Sequence, residues 1–292
     1  MSISLVARKD FEDVVRSRTL WSIIVVFVVL SVIIVFGASP EGEWTEILHI
    51  FNNLAAQLLI PITALVFGYL AIAGERESGS LRIMFGLSHD RRDVVFGKFI
   101  SRLSVTIIAA VVLCLVTFGT ILVEFGTPDV GTFLAFSGLT ILLAAAFTGI
   151  AIGVSLVTGR RATAMTGAIG SYLFLLLFWH PLVAGVHYLV EGSLPGYEAS
   201  NWYFFLLGLE PLTAYRNATG LLTGEFYWPI IGWPNIVEDI PEEQLDVLLL
   251  TDRLGSELPF YLSEWFSVLV LLAWAILPVV IGYWYFSRTD LN

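Results

Sequence analysis

Positive charge around six apolar segments constrains this chain more than any other feature. The segments cover residues 20–36, 54–73, 103–123, 131–158, 162–189 and 265–286; each is 17 to 28 residues long and none contains Asp, Glu, Lys or Arg. About 20 residues cross a ~30 Å hydrocarbon core, since an α-helix rises 1.5 Å per residue. Backbone polar groups must be satisfied internally there, so such spans are helices. Threading them with the N-terminus inside puts 13 of the 15 Lys and Arg residues on one side, with only Arg216 and Arg253 outside. Basic residues are retained in the cytoplasm. The acids divide the other way, 8 inside against 17 outside, for a net +5 inside and −15 outside. The expectation is an all-α integral membrane protein with six transmembrane helices. It lies in the cell (plasma) membrane with both termini cytoplasmic.

A hydrophobic fraction of 57% and a mean hydropathy of +0.83 exclude an ordinary soluble domain. Residues 1–292 are expected to form a single membrane domain. The first segment is longer than a signal-peptide core and follows an arm in which Asp10, Glu12 and Asp13 are mixed with basic residues, so it reads as an uncleaved span. The one cysteine, Cys114, lies mid-span and offers neither a disulfide nor a Cys metal site. Lysine is scarce (Lys9 and Lys98) and the outer face strongly acidic. That balance suits a protein bathed in concentrated salt and points to a haloarchaeal source.

Residues 1–19 repeat apolar positions at helical spacing (Ile3, Val6, Ala7, Phe11, Val14, Val15) among charged ones. They predict an amphipathic helix on the inner membrane surface. Two loops are long. The cytoplasmic one, 74–102, holds six basic residues and four acids around Leu81, Ile83, Met84, Phe85 and Leu87. The outer one, 190–264 between spans five and six, holds twelve acids and two arginines. It contains 201–209, too short to span and read as interfacial or re-entrant, then a short helix over 212–222. Asn217-Ala218-Thr219 is a formal glycosylation acceptor. Gly149 and Gly153 in the fourth span, and Ala164 and Ala168 in the fifth, allow close backbone approach and mark the bundle core.

Several chemistries are missing. The only Gly-Lys, Gly97-Lys98, is followed by Phe99, so there is no P-loop to bind ATP. Spans without ionisable residues offer no proton relay. His180 and His187 lie seven apart, two turns on one helix face, and are weak candidates to ligate a soft metal; no third ligand stands nearby. No catalytic residue is assigned.

The informative stretch is Glu75-Arg76-Glu77-Ser78-Gly79-Ser80-Leu81-Arg82-Ile83-Met84-Phe85-Gly86-Leu87-Ser88, then Asp90-Arg91-Arg92 and Gly97-Lys98. Gly79-Ser80 can start a short helix with Leu81, Met84 and Phe85 on one apolar face. Such an element between two spans is a docking site for a soluble partner, unless those residues simply lie on the membrane. The stretch resembles the coupling-loop signature of ABC transporter type-2 permeases, most closely the NosY-like branch. Glu210-Pro-Leu-Thr-Ala-Tyr-Arg216 is similar to the family's Pro-x-x-Ala-Tyr element in the outer loop, carried here by Pro211, Ala214 and Tyr215. The ending Phe286-Ser-Arg288-Thr-Asp290-Leu291 resembles the family's closing motif. His89-Asp90 departs from it, since many members have proline beside that turn.

The resemblance implies that Glu75, Glu77, Gly79, Ser80, Leu81, Met84, Arg91 and Lys98 couple the chain to a separate cytoplasmic ABC ATPase subunit. It also implies a second permease copy, a homodimer. ATP and Mg would then bind the ATPase; this chain carries no cofactor, is not itself an enzyme and has no nucleic-acid partner. It would form the translocation path of an ATP-driven exporter within the lipid bilayer. The alternative is an intramembrane hydrolase or membrane maturation factor without an ATPase partner. Topology is testable with cysteines at Gly159 and Glu242 in a Cys114→Ala background. An impermeant maleimide on intact cells is expected to label the Glu242→Cys variant and spare the Gly159→Cys variant. Labelling of both from outside would refute the six-span arrangement.

Overall fold

The structure is a computed structural model that describes residues 3–18, 21–26, 28, 29, 32, 43–81, 90–229, 231, 238–245 and 247–289. Among the described residues it is helical, with one isolated bridge between Gly196 and Asp239. We label α1 (Ile3–Val15), α2 (Thr45–Ser78), α3 (Arg91–Glu124), α4 (Val130–Val157), α5 (Arg161–Glu191), α6 (Asn201–Gly208), α7 (Pro211–Thr223), α8 (Leu250–Leu254) and α9 (Glu264–Ser287). Five of these, α2 to α5 and α9, are long and apolar enough to cross a membrane. The chain is a multi-pass membrane protein built from helices. The predicted first span, 20–36, is described only at 21–26, 28, 29 and 32, all helical; its full extent lies outside the described residues.

The bundle is organised around α4. Association of helices in lipid depends on packing and hydrogen bonds rather than on burial from water, which favours small residues at contacts. A methyl added at Gly149 would stand 2.5 Å from the carbonyl oxygens of Trp274 and Ala275, and one at Gly153 would stand 2.7 Å from Pro278. Gly149 and Gly153 therefore face α9. Pro278 lacks the N–H that would bond the Trp274 carbonyl four residues back, so this carbonyl turns to the glycine face of α4. The adjoining side of α4 meets α5, where a methyl on Gly167 would come 2.8 Å from Val154 and where Ala164 and Ala168 are fully buried.

Helix α2 is interrupted twice, and a neighbour repairs each break. Residues Phe51–Leu59 run as a π-helix, ending beside Pro61, which cannot donate to the Gln57 carbonyl. The Tyr172 hydroxyl of α5 donates to that oxygen instead, at 2.7 Å. The second break, at Tyr69–Ile72, is closed by Ser155 of α4. Its hydroxyl accepts from Ile72 N and Ala73 N, both at 3.0 Å, and donates to Tyr69 O at 2.8 Å.

Helix α1 lies against protein. Val6, Ala7 and Val14 are buried, and a methyl on Gly97 of α3 would stand 2.7 Å from Val6. At the opposite end of the bundle, Glu210 caps α7 by accepting from Leu212 N (2.9 Å) and Thr213 N (2.6 Å), with Pro211 in the first turn, where its missing N–H costs nothing. Residues 201–209, read as interfacial or re-entrant, form α6. Its Tyr203, Phe204 and Leu207 pack against Val183 and Ala184 of α5 in an outer core.

The glycine contacts give opposite signs for one chemical change. Alanine is the better helix former by ~1 kcal/mol, so Gly138→Ala, with open space around the added methyl, should be neutral or stabilising. Gly149→Ala should destabilise by ~1–3 kcal/mol through overpacking. Thermal melts of the purified protein check this; equal shifts for both variants would show that α4 and α9 are not in backbone contact.

Candidate functional site

The described residues of the 74–102 stretch converge on one junction at one end of the bundle. Lys98 of α3 is buried, with its Nζ 2.7 Å from Glu75 Oε1 and 2.9 Å from Asp10 Oδ1. Arg102, one turn further along α3, reaches the same Asp10 oxygen at 3.0 Å. Three elements are thereby tied by charge: α1 through Asp10, the end of α2 through Glu75, and α3 through Lys98 and Arg102. Burial by itself raises the Asp10 pKa, but the charges of Lys98 and Arg102 outweigh it and hold the carboxyl below its ordinary value.

The remaining residues of the stretch extend the junction. Gly79 ends α2 in the left-handed conformation at φ 76°, a geometry glycine adopts without penalty. Ser78 and Ser80 hydroxyls both donate to Glu75 O, at 3.2 and 3.3 Å. Glu77 accepts from the backbone N–H of Arg161 at the start of α5, where the helix dipole favours an anion. Arg91 Nη1 donates to Phe286 O (2.8 Å), Ser287 O (3.0 Å) and Thr289 O (2.9 Å). Those carbonyls lie at the end of α9, where helices leave acceptors unsatisfied.

Leu81 is the main correction. The sequence places it on an exposed docking face; the structure buries it to 1% exposure among Ile72, Val94, Ile152, Leu156 and Phe286. Its side chain anchors the loop to the bundle, because the turn after Gly79 directs it inward. Lys98 and Arg91 are likewise committed to internal partners. Met84 lies outside the described residues, as do 82–89 as a whole.

A second polar cluster joins α5 to the 190–264 segment. Glu238 Oε1 lies 2.9 Å from His180 Nε2 and accepts from Tyr203 OH at 3.0 Å; Oε2 accepts from Arg253 at 3.0 Å. Burial pushes the Glu238 carboxyl up, but His180 and Arg253 more than reverse it and leave it below its usual value. Arg253 also donates to Tyr197 O and Gly196 O and covers the Phe204 ring at 4.4 Å. His187 has separate partners: Nδ1 is 3.1 Å from Ser193 O and Nε2 3.2 Å from Glu191. The two histidines thus serve different carboxylates, and no group of three or more His, Cys, Asp and Glu suited to a metal occurs among the described residues. Pro211, Ala214 and Tyr215 are buried, with Tyr215 OH 2.9 Å from Thr140 Oγ1 of α4. Asn217 is a half-buried residue of α7 lining an outer cavity of about 70 Å³.

With this geometry in place, comparison with known proteins decides the family. The family described as ABC-2 family transporter protein matches residues 4–291. This chain belongs to that family. It is 29% identical over 231 residues to the probable ABC transporter permease protein NosY of Pseudomonas aeruginosa, covering 72% of this chain and 78% of that protein. It is also 29% identical over 289 residues to the probable ABC transporter permease protein NosY of Stutzerimonas stutzeri, covering 93% and 96%. The chain is therefore an ABC permease of the NosY-like kind, a membrane-spanning transport subunit.

In this ABC-2 permease, sequence reasoning found the bases and acids of the loop but missed their partners Asp10 and Arg102. The signal was present: Asp10 lies four residues from both Val6 and Val14, on the face of α1 that is otherwise apolar and buried. The cluster around Glu238 gave no such signal, because His180, Glu238 and Arg253 come from three separate segments that share no spacing.

Removing Lys98 would leave Asp10 and Glu75 buried without their cation, a change that costs ~3–5 kcal/mol when a buried pair is broken. Lys98→Met should therefore strongly destabilise the purified protein, and Lys98→Met with Asp10→Asn should recover part of the loss. Because the Asp10 pKa is depressed in the folded state, its contribution is full above ~3.9 and disappears as pH falls through the folded value. Acid denaturation of the Asp10→Asn variant should be less steep; unchanged melts for Lys98→Met would show that the junction carries no stability.

Proposed function

We propose that this chain is the membrane subunit of an ATP-driven ABC exporter. It receives the motion of a separate cytoplasmic ATPase at the 74–102 loop and forms the translocation path. Two copies of the chain pair with two ATPase subunits in the plasma membrane, with the termini in the cytoplasm. ATP and Mg bind in the ATPase, and the whole chain acts as one transmembrane domain. Closure of the ATPases displaces the loop and switches the spans between inward- and outward-open arrangements.

One observation carries this reading: residues of the coupling-like stretch bond to every neighbouring element at the cytoplasmic end. A force applied there reaches α1 and α3 through Glu75 and Lys98, α5 through Glu77, and α9 through Arg91. Leu81 fixes the near end of the loop to the bundle. The residues left to meet a partner's groove are then those further along, with Met84 at the centre of the apolar set. Placing a charge in such a groove costs several kcal/mol when it is left unpaired.

Co-purification tests the proposal. The tagged chain should recover a Walker-motif ATPase from membranes. Met84→Asp should insert at normal abundance and lose the ATPase by more than tenfold. Normal recovery of an active ATPase with the Met84→Asp chain would refute the loop as the coupling element, and absence of any ATPase from the wild-type preparation would refute the permease complex itself.

A further inference from the structure

A cavity of about 650 Å³ opens on the flank of the bundle between α4, α5 and α9. That volume is in the range of pockets that take a small ligand. Gly153 and Val154 form its floor and Ala273, Leu277 and Pro278 one wall, with no charged residue lining it among the described residues. The polar groups that border it are already engaged. The indole N–H groups of Trp179 and Trp274 donate to Leu206 O (3.1 Å) and Leu209 O (2.8 Å), and the Ser171 hydroxyl donates to Ala168 O (2.8 Å). The open side is flanked by Leu277 and Ile281, 54% and 62% exposed.

The dimensions identify the occupant. The lining residues of α9 run from Val270 to Gly282, about 18 Å of helix at 1.5 Å per residue. That is little more than one leaflet of a ~30 Å core. A spanning helix of ~20 residues from a second copy would overrun both ends of it, whereas a single acyl chain matches its length. Charge at the inner end identifies the headgroup. Exposed Arg160 follows the end of α4 just beyond Val157. Exposed Arg288 stands two turns past Ile281 on the same face of α9, with its guanidinium 3.9 Å over the Trp284 ring. Arginine at this depth is suited to bind a phosphate.

We infer that the groove holds one acyl chain of an anionic phospholipid from the cytoplasmic leaflet, with its phosphate bound between Arg160 and Arg288. The leaflet rests on the N-inside orientation, which the maleimide experiment tests separately; binding to the ATPase is not required. Filled in this way, the groove places lipid against Pro278 and the glycine face of α4, so bound lipid braces the α4–α9 crossing.

The full chain, reconstituted in nanodiscs of equal phosphatidylglycerol and phosphatidylcholine, is released into detergent for native mass spectrometry. Wild type should retain one phosphatidylglycerol per chain. Ala273→Phe, which fills the groove, should lower retention at least tenfold; should it fail to fold, Leu277→Trp at the exposed mouth serves in its place. Arg160→Gln combined with Arg288→Gln, at exposed positions, should keep a lipid but lose the preference for phosphatidylglycerol. No retained lipid in wild type, retention indifferent to groove filling, or an unchanged headgroup preference in the double variant would each overturn the inference. A disulfide between two Leu277→Cys chains in the membrane would also overturn it, by placing a second copy in the groove.

Discussion

The backbone contact between α4 and α9 is the constraint on which the rest of the bundle depends. In lipid, apolar side chains gain little by leaving their surroundings, so close approach and exact fit decide which helices associate. Gly149 and Gly153 leave room for the α9 backbone itself, down to the Trp274, Ala275 and Pro278 carbonyls. Weak Cα–H···O contacts are expected of that geometry. Gly282 returns the arrangement, since a methyl there would stand 3.0 Å from Gly153 O. With α9 fixed on one side of α4 and α5 on another, α2 and α3 have one remaining flank to occupy. Thr148 of α4 meets Thr106 of α3 there at 3.1 Å.

Polar groups are spent where this packing cannot hold the chain. At the end of the bundle that carries α1, loops and short helices lack the length to pack as spans do. Glu75, Lys98, Asp10, Arg91 and Glu77 hold them by ion pairs and capping bonds. Such pairs contribute less to net stability than the cost of breaking them suggests, because both charges were taken from water. What they fix is registry: an ion pair of 2.7 Å between Lys98 and Glu75 sets the position of the loop relative to α3.

How much of this was legible follows from which interactions are periodic. Five spans, the apolar face of α1 and the outer helix α7 announce themselves by runs and spacing, so their existence was readable while their ends moved by several residues. The small-residue faces were readable as contacts, but not their partner: Gly149 and Gly153 meet α9 because Pro278 frees a carbonyl there, a pairing that no spacing encodes. Leu81 was misplaced for the same reason. Its helical neighbours suggest an exposed stripe, yet the left-handed Gly79 turns the chain and buries it. The π segments of α2 and α5 were invisible, since an extra residue per turn leaves apolar runs unchanged.

Those π segments divide the bundle into stiff and deformable parts. Helices α3, α4 and α9 keep continuous α-helical hydrogen bonding apart from Pro278, which is held against the glycine face of α4. By contrast, α2 contains Phe51–Leu59 in π form and a turn at Tyr69–Ile72, while α5 contains Phe174–Phe178 in π form ahead of Pro181. A helix already departing from regular bonding bends at lower cost, and π segments gather at functional positions. The two irregular regions are linked to each other by the Tyr172–Gln57 bond, and α2 is linked to the junction by Glu75. The irregular helices α2 and α5 are thus joined to each other, while α4 and α9 form the regular frame beside them.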